Sequence, residues 1–162
     1  MASGRRIVRG MFAAAILTAA AAPAVAAEVI KVQLADSGAM EMPTGLGMGS
    51  AGADMSKAIF KIVLEPATVK AGEVTFEAIN TSKELVHEML VAPLPSDGKL
   101  PYDTGNSMVN EDAATSLGEV EELDPAAGGK LTLNLAPGKY AVFCNVPGHY
   151  DAGMWTVLDV HS

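Results

Sequence analysis

The sequence predicts an all-β protein, a sandwich or barrel, and three observations carry that reading. Apolar and polar residues alternate along several short stretches, the period-2 pattern of half-buried strands. Turn signals rich in proline and glycine separate those stretches. Hydrophobic residues make up 49% of the chain but aromatics only 5%, so the apolar content lies in small and branched side chains rather than large rings.

The elements follow in order. VIKVQLAD, from Val29, alternates as a first strand. SGAMEMPTGLGMGSAGADM then loosens into a loop rich in glycine and methionine. From Lys57, KAIFKIVLEPATVKAGEVTFEAIN gives two alternating runs broken by Pro66 and by Ala71-Gly72, with Val74 and Phe76 on one face of the second. LVHEMLVAP is a short strand that carries His87 and stops at Pro93. A polar excursion, PLPSDGKLPYDTGNSMVNEDAATS, holds a short helix near Asp112. GEVEELDP, KLTLNLAP and GKYAVFC are three more strands, separated by Pro125-Ala126-Ala127-Gly128-Gly129 and by Pro137-Gly138, and MWTVLDV closes the chain. No internal repeat is present. Residues 57–162 thus form the core, 28–56 its first strand and loop, and 28–162 one domain, since that length supports one core and not two.

Residues 1–27 read as an export signal peptide: Arg5, Arg6 and Arg9, an alanine-rich apolar run, then small residues at Ala24, Ala26 and Ala27. The run is short for a span and Pro23 interrupts its end, which favours cleavage after Ala26 or Ala27 over retention as an anchor. The paired arginines fit the twin-arginine route, whereas Arg9 stands where that signal carries an apolar residue. A periplasmic or secreted protein without membrane insertion is expected. Loss of the leader's arginines takes the formal charge from −8 to −11, which argues against nucleic acid as a partner.

The single cysteine therefore stands in an oxidising compartment, where a free thiol needs deep burial or a ligand. It opens CNVPGHYDAGM, in which Cys144, His149 and Met154 share one loop after the strand KYAVFC. Thiolate and thioether favour Cu(I), imidazole accepts Cu(II), and two His, one Cys and a weak axial Met serve both states. The second His must come from elsewhere. Of the three histidines, His161 is penultimate and expected to fray, which leaves His87.

These residues resemble the motif of the cupredoxins, the type 1 blue copper proteins. The C-x4-H-x4-M spacing with Pro-Gly before the histidine is similar to that of the rusticyanin, sulfocyanin and auracyanin subgroup, and the resemblance runs from Lys57 to Val160. It implies a Greek-key β-sandwich holding one copper through His87, Cys144, His149 and Met154, and carrying single electrons between redox proteins such as a c-type cytochrome and a terminal reductase or oxidase. It further implies that the backbone N–H groups of Glu88 and Val146 donate to the sulfur. Electrons would pass at the edge of His149, with Pro147, Gly148 and Tyr150 as a contact patch. Glu88 and Asn145 depart from the pattern, which often has asparagine or serine after the first histidine and threonine or serine after the cysteine. Glu88 is expected to face solvent.

No catalytic residue is assigned, and a monomer that is not an enzyme is expected. A thiol hydrolase or peroxidase activates its cysteine at a helix N-terminus or beside cations, and Cys144 ends a strand. The alternative function is a periplasmic copper carrier or storage protein, for which Met40, Met42, Met48 and Met55 would supply thioethers. The acidic run Glu119, Glu121, Glu122 and Asp124 reads as a solvated strand face or a docking surface.

Overall fold

The computed structural model describes residues 27–38 and 41–162. The expected leader, apart from Ala27, and Met40 lie outside the described residues. In chain order the strands are β1 (Glu28–Asp36), β2 (Phe60–Glu65), β3 (Thr68–Lys70), β4 (Gly72–Asn80), β5 (His87–Pro93), β6 (Tyr102–Asp103) and β7 (Met108–Val109). A single helical turn, α1 (Glu111–Ala114), precedes β8 (Gly118–Leu123), β9 (Gly128–Leu135), β10 (Gly138–Phe143) and β11 (Trp155–His161). Among the described residues no helix is long and apolar enough to cross a membrane.

Two sheets form the β-sandwich, a four-stranded one in the order β2-β1-β4-β9 and a five-stranded one in the order β3-β11-β10-β5-β8. Alternation sets what lies between them. Ile30, Val32 and Leu34 of β1 and Val74, Phe76 and Ala78 of β4 point inward from the first sheet, and Met89, Val91, Tyr140, Val142 and Leu158 meet them from the second. The outer face of the first sheet is wet: Glu77 of β4 stands opposite Lys31 of β1 and Lys130 of β9, and its carboxylate pairs with both ammonium groups.

The second sheet is covered on both faces. Leu90, Ala92, Ala141 and Phe143 point away from the sandwich interior and pack on Leu100, Val109, Ala114, Tyr150 and Met48. The polar excursion and the glycine-methionine loop thus provide that outer layer, which is why VHEMLVAP and KYAVFC read as nearly continuous apolar runs. The excursion's tip is the β6–β7 ribbon, and α1 falls at the expected Asp112, capped by the Asn110 side chain accepting from the Ala113 N–H at 2.9 Å.

Two boundaries differ from the sequence pattern. Lys57 to Asn80 contains three strands, not two, because Thr68–Lys70 leaves the first sheet and pairs in parallel with β11 at the edge of the second. Gly128 and Gly129 open β9 instead of forming a turn. β8 passes so close there that a Cβ on Gly129 would lie 2.4 Å from a Val120 methyl, which only glycine avoids.

Candidate metal centre

The alternation of β10 decides where the thiol goes. Tyr140 and Val142 face the sandwich interior, and Cys144, two residues on, follows them inward and is fully buried. The loop after it closes on its own base: Cys144 N–H donates to the Met154 carbonyl at 3.1 Å, Met154 N–H to His149 at 2.9 Å and His149 N–H to Val146 at 2.9 Å. Met154 is thereby brought back beside Cys144, also fully buried, and both belong to the main core. Gly153 has φ +96°, and a Cβ there would sit 2.7 Å from that of Ala58, so the return requires glycine.

His87 enters from β5 and is set in place by buried polar groups. Asn80, at the end of β4, donates its amide to the carbonyls of Leu85 and Leu123 at 2.8 Å each and accepts the Ser82 N–H at 2.9 Å. The Ser82 hydroxyl oxygen in turn accepts the Glu84 and Leu85 N–H groups. These bonds fix the segment from β4 into β5, and His87 starts β5 with no exposed surface.

The three strong donors converge. The Nδ1 atoms of His87 and His149 are 3.3 Å apart, Cys144 Sγ is 3.5 Å from His149 Nδ1, and the three donor atoms lie within 4.8 Å of one another. Phe60 stacks on the His149 ring at 4.2 Å and meets the His87 ring edge-on at 5.6 Å, filling the space between β2 and the site. Burial pushes His149 down to about 4, assisted by the nearby His87, and it lowers His87 as well, against the pull of Asp36. Both rings are therefore neutral at pH 7, the form that binds metals. Burial also pushes the Cys144 thiol up to about 12, although the N–H groups of Glu88 and Val146 favour the thiolate. The Glu88 N–H lies 3.5 Å from the sulfur, so the bond expected from that residue is present. Two imidazoles, a thiol and a thioether in one dry pocket could hold a single type 1 copper.

Three expectations are corrected. Glu88 does not face bulk water: it is half-buried, and burial first, then the carboxylates of Glu119 and Glu111, push it up to about 7. An irregularity in the β5–β8 pairing places Glu121 and Glu122 opposite this one residue, which crowds the acids together. Tyr150 does not join a contact patch; it is 2% exposed, packs on Phe143 and Tyr102, and accepts the Met48 N–H at 3.0 Å. His161 is not frayed, because it pairs with Lys70 and its carbonyl accepts the Ala71 N–H at 2.7 Å. It is excluded from the site by place: its exposed side chain stands at the far end of β11 from Met154, roughly 20 Å along a seven-residue strand.

Sequence reasoning missed Asp36, Phe60 and the work of Asn145. Asn145 is 1% exposed; its side chain accepts the Val109 N–H at 2.6 Å, donates to the Val109 carbonyl at 3.0 Å and reaches Glu111 at 2.9 Å. The residue after the cysteine thus fastens the excursion to the metal loop. Asn145→Ala strips partners from two buried backbone groups and is expected to destabilise the fold by about 2–4 kcal/mol. Asn106→Ala, which loses only one exposed side-chain bond to Asp103, should cost under about 0.5 kcal/mol. Chemical denaturation of both variants checks this, and equal small effects would remove the clamp.

A sulfocyanin (SoxE) domain model matches residues 78–162, more than half of the chain and all four donor residues. No curated protein matches the chain. Among solved structures, auracyanin B superposes with TM-score 0.52 at 20% identity, over 87% of this chain and 94% of its own. Rusticyanin from Thiobacillus ferrooxidans gives 0.51 at 17% identity, over 82% and 75%. Auracyanin A, described as a "blue" copper protein from the green thermophilic photosynthetic bacterium Chloroflexus aurantiacus, gives 0.51 at 17% identity, over 84% and 100%. At these identities the superpositions establish a shared fold, and the domain match carries the assignment: the chain belongs to the sulfocyanin family, within the cupredoxins related in fold to rusticyanin and auracyanin.

Proposed function

We propose that the chain is a one-electron carrier working outside the cytoplasm, in which His87 Nδ1, Cys144 Sγ and His149 Nδ1, together with the Met154 thioether, would hold a copper ion. The convergence of those three donor atoms within 4.8 Å, in a pocket closed by Met154, carries the reading. Bound there, copper supplies one-electron chemistry between Cu(II) and Cu(I). The protein's part is to hold the donors still. Cys144 and Met154 are tied through the loop's backbone bonds, His87 through the Asn80 network, and Phe60 wedges both rings, so neither oxidation state calls for new rotamers. The N–H groups of Glu88 and Val146 withdraw charge from the sulfur and tune the potential.

Electrons enter and leave where the site nears the surface. His149 is 6% exposed and opens into a cleft of about 600 Å3 bordered by Met42, Phe60 and Leu85, and Pro147, two residues before it, is exposed. With Tyr150 buried, these residues form the apolar contact. Redox proteins such as a c-type cytochrome or a terminal reductase or oxidase suit that surface. The exposed acids Glu119, Glu121 and Glu122 lie beside Glu88 and would attract a basic partner. The leader motif supports export to the periplasm. Against the copper-carrier alternative, Met48 is 6% exposed and serves the outer core, so among the described residues Met42, Met48 and Met55 do not form one open binding strip.

Oxidised, copper-loaded protein is expected to be intensely blue or green from thiolate-to-copper charge transfer, with one copper per chain. Cys144→Ser should abolish the visible band and His161→Ala should leave it intact, while His87→Gly should lose the native band and recover one on adding imidazole. A band that survives Cys144→Ser would contradict the site. For docking, the electron-transfer rate with a basic c-type cytochrome should fall as ionic strength rises. Neutralising Glu119, Glu121 and Glu122 to glutamine should flatten the dependence. A salt-independent wild-type rate would leave the His149 surface as the whole contact.

A further inference from the structure

One buried polar pairing beside the site has no assigned role. Asp36 ends β1 with its carboxylate 9% exposed, and Oδ2 lies 3.5 Å from the fully buried Nε2 of His87. Both atoms are buried, and neither makes a well-formed hydrogen bond to any partner, each other included, so each stands unsatisfied facing the other. Oδ1 is occupied, accepting the Gly38 N–H at 2.7 Å. The group is thus held with one oxygen aimed at one imidazole nitrogen. On the other side of that ring, Nδ1 faces His149 and Cys144.

We infer that Asp36 is a positioning residue, which accepts the Nε2–H of His87, fixes the tautomer that leaves the Nδ1 lone pair facing Cys144 and His149, and strengthens that nitrogen as a donor. A neutral imidazole carries its proton on one nitrogen only, and a carboxylate can meet Nε2 only if the proton is there. Nδ1 is then obliged to present its lone pair to the pocket. Ionised carboxylate behind the ring adds electron density to it, which favours Cu(II) over Cu(I) and tightens metal binding. The arrangement assembles from distant parts of the chain: β1 brings the carboxylate, the Gly38 N–H just beyond it holds the other oxygen, and β5 brings the ring. Sequence spacing alone gives no sign of it.

This inference rests on the copper reading of the site, yet its first test needs no metal. In ¹⁵N spectra of the metal-free full chain at pH 7, His87 should be neutral and protonated on Nε2, with a downfield, exchange-protected Nε2–H resonance. Asp36→Asn keeps the shape and removes the charge, and it should move that resonance upfield. Copper affinity should fall about 10–100-fold in Asp36→Asn. In equilibrium with a fixed redox couple, its Cu(I)/Cu(II) ratio should rise about tenfold, some 59 mV for one electron. Glu84→Gln removes a charge from the rim of the neighbouring cleft without touching His87, and should change the ratio less than about twofold. A proton on Nδ1 in the wild-type protein, an unchanged ratio in Asp36→Asn, or an equal shift in Glu84→Gln would overturn the assignment. A wild-type chain that binds no copper while showing the Nε2–H signature would instead sink the copper reading and leave the tautomer result standing.

Discussion

Taking two imidazoles and a thiol out of water removes their hydrogen bonds, and the end of this sandwich is built around that constraint. Among the described residues the buried polar side chains are Asn80, Ser82, His87, Asn145 and His149. Every one of them belongs to the site or to the networks that hold it. Asn80 and Ser82 carry the chain into His87, and Asn145 ties the loop after the cysteine to Val109 and Glu111. The buried polar side chains are therefore concentrated at one place, and the rest of the space between the sheets is filled mainly by Ile, Val, Leu and Phe, with Ala78, Met89 and Tyr140.

The same constraint explains the unusual thickness of the second sheet's covering. A loop that carries Cys144, His149 and Met154 into a dry pocket has to be fixed from outside as well as inside. The excursion and the glycine-methionine loop provide this: Ser107 accepts the Gly148 N–H at 2.8 Å, Tyr150 packs into the outer core, and the Trp155 indole donates to the Leu46 carbonyl at 2.7 Å. Segments without regular structure are thereby part of the metal site's support. The acidic surface around Glu88 follows from the same geometry, since the pairing irregularity opposite that residue brings Glu121 and Glu122 toward the strand whose backbone touches the sulfur.

Much of this was legible in the sequence because it is local or periodic. Alternation placed most strands, and a five-residue spacing from Cys144 to His149 and again to Met154 put three donors on one loop. His87 followed from chemistry, since three histidines left few choices. What was not legible depends on contacts between distant segments. Asp36 and Phe60 read as ordinary residues of strands β1 and β2, and only the sandwich brings them to His87 and His149. Tyr150 looked like a surface residue because its loop is exposed at Pro147, but the excursion covers it. Glu88 looked solvated because nothing in its own strand shows that β8 carries an extra residue opposite it. Gly129 looked like a turn until the approach of Val120 was visible.

The central claim is that the chain folds into a cradle already shaped for one copper, with the donors held by the protein rather than gathered by the metal. Crystal structures of the metal-free and copper-loaded protein, with anomalous data collected at the copper edge, test this most directly. The account predicts one anomalous peak per chain, bonded to Cys144 Sγ and to Nδ1 of His87 and His149 with Met154 Sδ farther away, and unchanged rotamers at these residues and at Phe60. A principal peak beside Met42 or Met55, or a site in which His87 has to swing in from another position, would contradict it.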